Sequence, residues 1–206
     1  MGFLKGSMTF RRYHVDGEIP TDFIERFQER LHEFSFKVRP GEGSKLEHMG
    51  WTLIHNLLDS DFSNLDSWYI EPHILAMMRL DVKTVPSNLF RATLDQRCSR
   101  WCENNSKERC PSRVKTELKD ILNAEMLSQT LPRVKTVEWY WDLELNQVFV
   151  HNISESMNER FRGLFYDTFG LNLSHYSPLS LLAGHSTVST KLEACGVSDV
   201  QVIWED

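Results

Sequence analysis

The sequence predicts an α+β protein with a mainly antiparallel sheet, packed helices and a protruding charged helical arm. Three features carry that prediction. A strand–strand–helix unit spans Val134 to Gly170, further alternating strands are interrupted by helices of unequal length, and two helical stretches between about 86 and 131 hold few apolar positions. Residues 1–206 are read as one domain with the arm at about 86–131.

The strand–strand–helix unit is the most self-consistent element. Val134–Asp142 and Gln147–His151 are rich in β-branched and aromatic residues, and Leu143–Asn146 between them has turn character, so the pair reads as a hairpin. Ser154 stands as a helix N-cap with Glu155 in the first turn, where the helix dipole favours negative charge. Met157, Phe161, Leu164, Phe165 and Phe169 recur at helical spacing, and Gly170 stands where glycine closes a helix. The aromatics of this unit read as core.

Upstream, Gly6–Val15 alternates as a strand and Asp16-Gly17 turns it. Pro20-Thr-Asp22 opens a helix in which Phe23, Ile24, Phe27, Leu31 and Phe34 share a face. Pro40–Ser44 is a loop, Gly50–His55 a second strand, and Asp59–Asp66 an acidic connection. Trp68–Ile70 and His73–Val85 add one or two strands. After Pro86, with Ser87 or Asn88 as cap, Leu89–Glu103 is helical; Asn104–Ser106 breaks it, and Pro111-Ser112 restarts a helix to about Leu131. Leu171–His175 and Val200–Trp204 complete the strands, and 178–183 and 188–195 are short and ambiguous.

Composition narrows the functional classes. No apolar run approaches the ~18 residues that a membrane span needs, and the N-terminus lacks a secretory pattern. Cys98, Cys102 and Cys110 crowd one helical region while Cys195 lies far away, a poor disulfide framework. A cytoplasmic protein is expected. The net charge of −6 argues against a polyanionic partner, but its distribution does not. From Arg79 to Lys135 twelve Lys/Arg face seven Asp/Glu, a local +5, while the remaining 11 basic and 22 acidic residues give −11. A basic segment on an acidic body is dipolar, and local potential decides where a phosphate backbone sits.

Three constellations could carry chemistry. Cys98 and Cys102 are one helical turn apart with Cys110 beyond the break, but with no histidine between Arg91 and Lys135 they lack a zinc pattern, so no metal is assigned. Asp81-Val82-Lys83 is a D-x-K pattern on a strand, with Asp59, Asp61 and Asp66 upstream. It is the weak candidate for a metal-dependent nuclease, and a solvent-facing charge pair explains it equally well. His14, His55, His73, His151 and His175 are scattered on predicted strands and read as structural. The basic arm is the stronger site. Lys83, Arg91, Arg97, Arg100, Lys107, Arg109, Arg113, Lys115, Lys119, Arg133 and Lys135 offer cations to phosphates without base reading, and about half should face a duplex because a helix points its residues all round.

An ordered set of motifs resembles the RdgC family of bacterial recombination-associated DNA-binding proteins, especially its shorter members. They are Met1-Gly-Phe with Gly6-Ser-Met-Thr-Phe-Arg-Arg-Tyr13, Gly17-Glu18-x-Pro20, Gly50-Trp51 and Leu80-x-x-Lys83-x-Val85-Pro86. Lys115-x-x-Leu-Lys119, Leu131-Pro132, Trp141-Asp142 and Phe165-x-x-x-Phe169-Gly170-Leu171 follow in order. The resemblance implies an α+β fold and a ring-like homodimer around duplex DNA. It also implies sequence-independent binding at the nucleoid, restraint of the RecA recombinase, and no cofactor. Some members are labelled exonucleases, but no nuclease motif comes with the resemblance. Longer members continue well past Asp206, which puts a full ring in question, and Trp101, three cysteines and Asn104-Asn105 interrupt the arm, which implies weaker affinity. The expected function is therefore sequence-non-specific DNA binding. The alternatives are a metal-dependent exonuclease built on Asp81 and Lys83, or an interaction module whose arm takes an acidic partner. Homodimerisation is expected too, with Trp101 or Leu89 between paired arms.

Overall fold

In the computed structural model, which describes residues 9–37 and 47–176, two ten-residue strands form the spine of the sheet. They are β4 (His73–Val82) and β5 (Arg133–Asp142), antiparallel from His73↔Asp142 to Val82↔Arg133. β2 (Glu47–Thr52) and the two-residue β3 (Tyr69–Ile70) pair with β4. On the other side come β6 (Gln147–Val150), β1 (Arg11–Asp16) and β7 (Asn172–His175), giving the order β2-β4-β5-β6-β1-β7. Among the described residues every named strand pair is antiparallel, with one isolated parallel bridge from Ser35 to Trp51, and with four helices the fold is α+β, as the sequence pattern predicts.

Helices α1 (Phe23–Glu33) and α4 (Glu155–Phe169) cover one face of this sheet. Period-2 alternation sends Val137, Trp139 and Trp141 of β5 to that face, beside Val148, Val150, Tyr13 and Val15. Helical spacing brings Phe161, Phe165 and Phe169 down on them: the Trp139 ring lies 5.7 Å from Phe161 and 5.9 Å from Phe165. Phe27 of α1 stacks on Trp141 at 5.5 Å and meets Phe169 edge-on at 4.9 Å. Such tilted ring pairs add about 0.5–1.5 kcal/mol each beyond their buried area.

The alternation also corrects the expectation that every aromatic of the hairpin is core. Tyr140 and Phe149 are half-buried on the opposite face, stacked at 4.5 Å with rings 5° from parallel, and Phe10 leans on Phe149 at 5.3 Å. On the same face the Arg12 guanidinium sits 4.0 Å above the Tyr176 ring.

Among the described residues the buried indole N–H groups of Trp68, Trp139 and Trp141 have no hydrogen-bond partner, whereas the polar groups at the start of α4 are satisfied locally. The Tyr13 hydroxyl donates to Asn158 Oδ1 at 2.8 Å, and Asn158 Nδ2 donates to the carbonyls of Asn152 and Ser154. Buried Asn158 thereby ties the start of α4 to β1. Ser154 occupies the N-cap position as predicted, but its side chain makes no cap bond; instead Asn152 Oδ1 accepts from the Ser154 amide. At the other end Gly170 adopts φ +71°, the left-handed closure read from the sequence. Arg30 of α1 donates to the carbonyls of Asp167 and Thr168, the negative end of the α4 dipole.

Some boundaries shift. The second strand is displaced to Glu47–Thr52 because Leu53 and Asn56 close a turn, which leaves His55 outside it, and His151 falls just past β6. The strand start at Gly6, the loop Pro40–Ser44, Cys195 and the elements read at 178–183, 188–195 and 200–204 lie outside the described residues. Among the described residues no helix is long and apolar enough to cross a membrane.

Candidate nucleic-acid interface

The arm is the connection between the two central strands. β4 ends at Val82, the chain runs out through α2 (Ser87–Asn104), returns through α3 (Ser112–Gln129), and re-enters the sheet at Arg133 opposite Val82. Pro86 and Pro111 hold the N-cap positions, so the predicted cap at Ser87 or Asn88 is displaced by one or two residues and makes no side-chain cap bond. The break falls at Asn105–Ser106, where Ser106 takes φ +50°. α3 closes at Gln129, two residues short of the predicted Leu131, ahead of Pro132.

Sparse apolar positions leave the arm thin. Two 18-residue helices bury only Leu94, Leu122 and Leu127, and Leu89, Ile121 and Leu131 stay exposed. Trp101 is half-buried rather than fully exposed. An Arg97–Glu125 ion pair links α2 to α3 across this seam. It holds the Glu125 carboxyl below its usual range and the Arg97 guanidinium above its own, chiefly through their shared hydrogen bond. The first four residues of β5, Arg133 to Thr136, are all exposed, so the root of the arm is as polar as its length.

The structure sorts the eleven cations into two groups. Arg97 is engaged by Glu125, Arg113 donates to Glu117 at 3.1 Å one turn on, and Lys83 donates to the Leu127 carbonyl at 3.1 Å. Among the described residues Arg91, Arg100, Lys107, Arg109, Lys115, Lys119, Arg133 and Lys135 form no ion pair, and all eight are exposed. Within this group Arg91 of α2 and Lys115 and Lys119 of α3 meet in one cleft of about 690 Å³ between the helices, floored by Phe90 and Leu94. Asp95 and Asp120 line it as well, so its field is mixed. This convergence joins residues 24 to 28 positions apart and has no local sequence signal.

The D-x-K pattern resolves differently. Asp81 is 3% exposed, and Arg79 clamps it in a fork, Nε to Oδ1 at 2.8 Å and Nη2 to Oδ2 at 2.7 Å. Arg79 also donates to the Leu57 carbonyl and lies 4.1 Å over the Phe36 ring. The sequence suggested a solvent-facing Asp81–Lys83 pair; the partner is instead Arg79, two residues back on the same strand face, and the pair is buried. The upstream acids turn their own loop, Asp59 accepting from the Asp61 amide and Asp61 from Ser63. They do not converge with Asp81: among the described residues no group of three His, Cys, Asp or Glu side chains is arranged to hold a metal ion.

Residues 8–190 of this chain match the family model described as "Putative exonuclease, RdgC". No curated protein matches the chain.

Proposed function

The chain belongs to the RdgC family of recombination-associated proteins, and from that premise we propose that it binds duplex DNA without sequence preference. In this reading it acts at the nucleoid as a homodimer and limits access of a RecA-type recombinase to DNA. The observation that supports it is the arm: among the described residues eight exposed cations are free of carboxylate partners, six on the helical hairpin that projects from the central strand pair and two, Arg133 and Lys135, at its root on β5. Cations held this way trade condensed counterions for phosphate contacts, which gives affinity without base reading. Exposed Leu89, Ile121 and Leu131 give the arm apolar surface for a second copy.

The family description names an exonuclease, and the test must separate the two activities. End-labelled duplexes of two unrelated sequences are incubated with the full chain, with and without Mg²⁺ or Mn²⁺. Binding that is equal on both sequences, weakens with salt and leaves the label at full length is the expected result. Metal-dependent shortening that vanishes in a folded Asp81→Asn variant overturns the binding-only reading. Absence of binding to any duplex at low salt, with binding to an acidic protein instead, overturns the nucleic-acid reading altogether.

A further inference from the structure

Next to the cation cleft, at the far end of the arm, lies a second cleft of about 640 Å³. Cys98, Cys102 and Cys110 all line it, together with Asp95, Glu103, Lys107 and Glu108. Cys98 and Cys102 share one face of α2 because they are one turn apart. Cys110 reaches them because the chain folds back: the amides of Asn105, Ser106 and Lys107 donate to the carbonyls of Trp101, Glu103 and Cys102. All three thiols thereby border one cleft, where the Cys110 thiol donates to the Pro111 carbonyl at 3.8 Å, and all three cysteines are half-buried rather than sealed. Free cysteines that serve only as packing are among the most buried residues of a protein. These three are grouped instead at an accessible chain reversal.

We propose that Cys98 and Cys110 form a reversible dithiol–disulfide site, oxidised by a hydroperoxide. Cys98 is the first sulfur to react. Its thiolate attacks the terminal peroxide oxygen, the O–O bond breaks, and the leaving oxygen takes up a proton as alcohol or water. Cys98 is then a sulfenic acid, oxidised by two electrons. The Cys110 sulfur attacks it, the S–O bond breaks, and the oxygen departs as water. Two thiols and one hydroperoxide thus become one disulfide, one water and one alcohol, and a dithiol reductant reverses the change.

The assignment of roles follows from the surroundings. Burial, and then the neighbouring Cys98, push the Cys110 thiol up, so Cys110 is disfavoured as the sulfur that attacks peroxide and is assigned the second step, in which its proton leaves with the sulfenic oxygen as water. The nearby Lys115 charge works in the opposite direction and favours its thiolate. A bond between positions 98 and 110 would pin the last turns of α2 to the segment that leads into α3, beyond the buried Leu94 of α2 and Leu122 and Leu127 of α3.

The test uses the full chain, fully reduced and desalted, with one equivalent of hydrogen peroxide, followed by alkylation of free thiols and peptide mapping. A Cys98–Cys110 cross-linked peptide, lost on treatment with a dithiol, is expected. Cys110→Ser is expected to abolish the cross-link and leave a trappable sulfenic acid on Cys98. Amide exchange between residues 103 and 110 is expected to slow in the oxidised chain. Three results would each overturn the proposal. One is a cross-link joining Cys102 to Cys110 at the wild-type rate in Cys98→Ser. Another is exclusively intermolecular disulfide. The last is stoichiometric Zn²⁺ binding that protects all three thiols, which would make the cluster a metal site.

Discussion

If the arm holds the phosphate backbone, the salt dependence of binding should follow its free cations. Eight arm and root cations lack a carboxylate partner among the described residues. A helical hairpin presents about half of its circumference to one ligand, so roughly four phosphate contacts follow, with a log–log salt slope near −3.6. A fourfold rise in salt then weakens binding about 150-fold. Arg91, Lys115 and Lys119 share one cleft and should count among those contacts. Replacing all three with glutamine leaves a slope of about −0.9, and the same rise in salt then costs only about 3.5-fold. Fluorescence anisotropy of a labelled duplex across a salt series measures both slopes. The control is Arg26→Gln, exposed on α1; Arg30 is unsuitable because it anchors α1 to the end of α4. An unchanged slope in the triple variant, or a loss confined to one of two unrelated sequences, refutes this placement of the interface.

Two glycines separate space from conformation. A Cβ on Gly50 would meet the Phe36 backbone at 2.6 Å, so Gly50→Ala should cost about 1–3 kcal/mol or more by urea denaturation. Gly163, with open space around it on α4, should gain about 0.5–1 kcal/mol as alanine. Removing the buried Asp81 carboxylate strands Arg79, so Asp81→Ala should lower stability by about 3–5 kcal/mol, read in the same denaturation assay. The Glu125 carboxyl titrates below its unfolded value because of Arg97. The link between the arm helices is therefore complete at neutral pH and is lost as pH falls through the lowered value. Amide exchange in α2 and α3 should accelerate in that acidic window, and Glu125→Gln should abolish the pH dependence.

Local pattern alone determined much of this protein. The β5–β6 hairpin, α4 with its Gly170 closure, the apolar face of α1 and the two polar arm helices are all short-range consequences of period and punctuation. The motif order also pointed to the RdgC family, which the match over residues 8–190 shows. What the sequence could not decide were relations between distant residues. Alternation states that Trp139 and Tyr140 face opposite ways, but only the packing of α1 and α4 decides which face is core. The D-x-K pattern places Asp81 near two cations, and only the burial of Arg79 over Phe36 selects its partner. The arm sequence supplies eleven cations. Which are neutralised, and which gather, depends on how α3 lies against α2, as with Arg97 on Glu125 and Arg91 beside Lys115 and Lys119. Charge is a property of the residue, whereas its pairing depends on distances set by chain segments that share no local pattern.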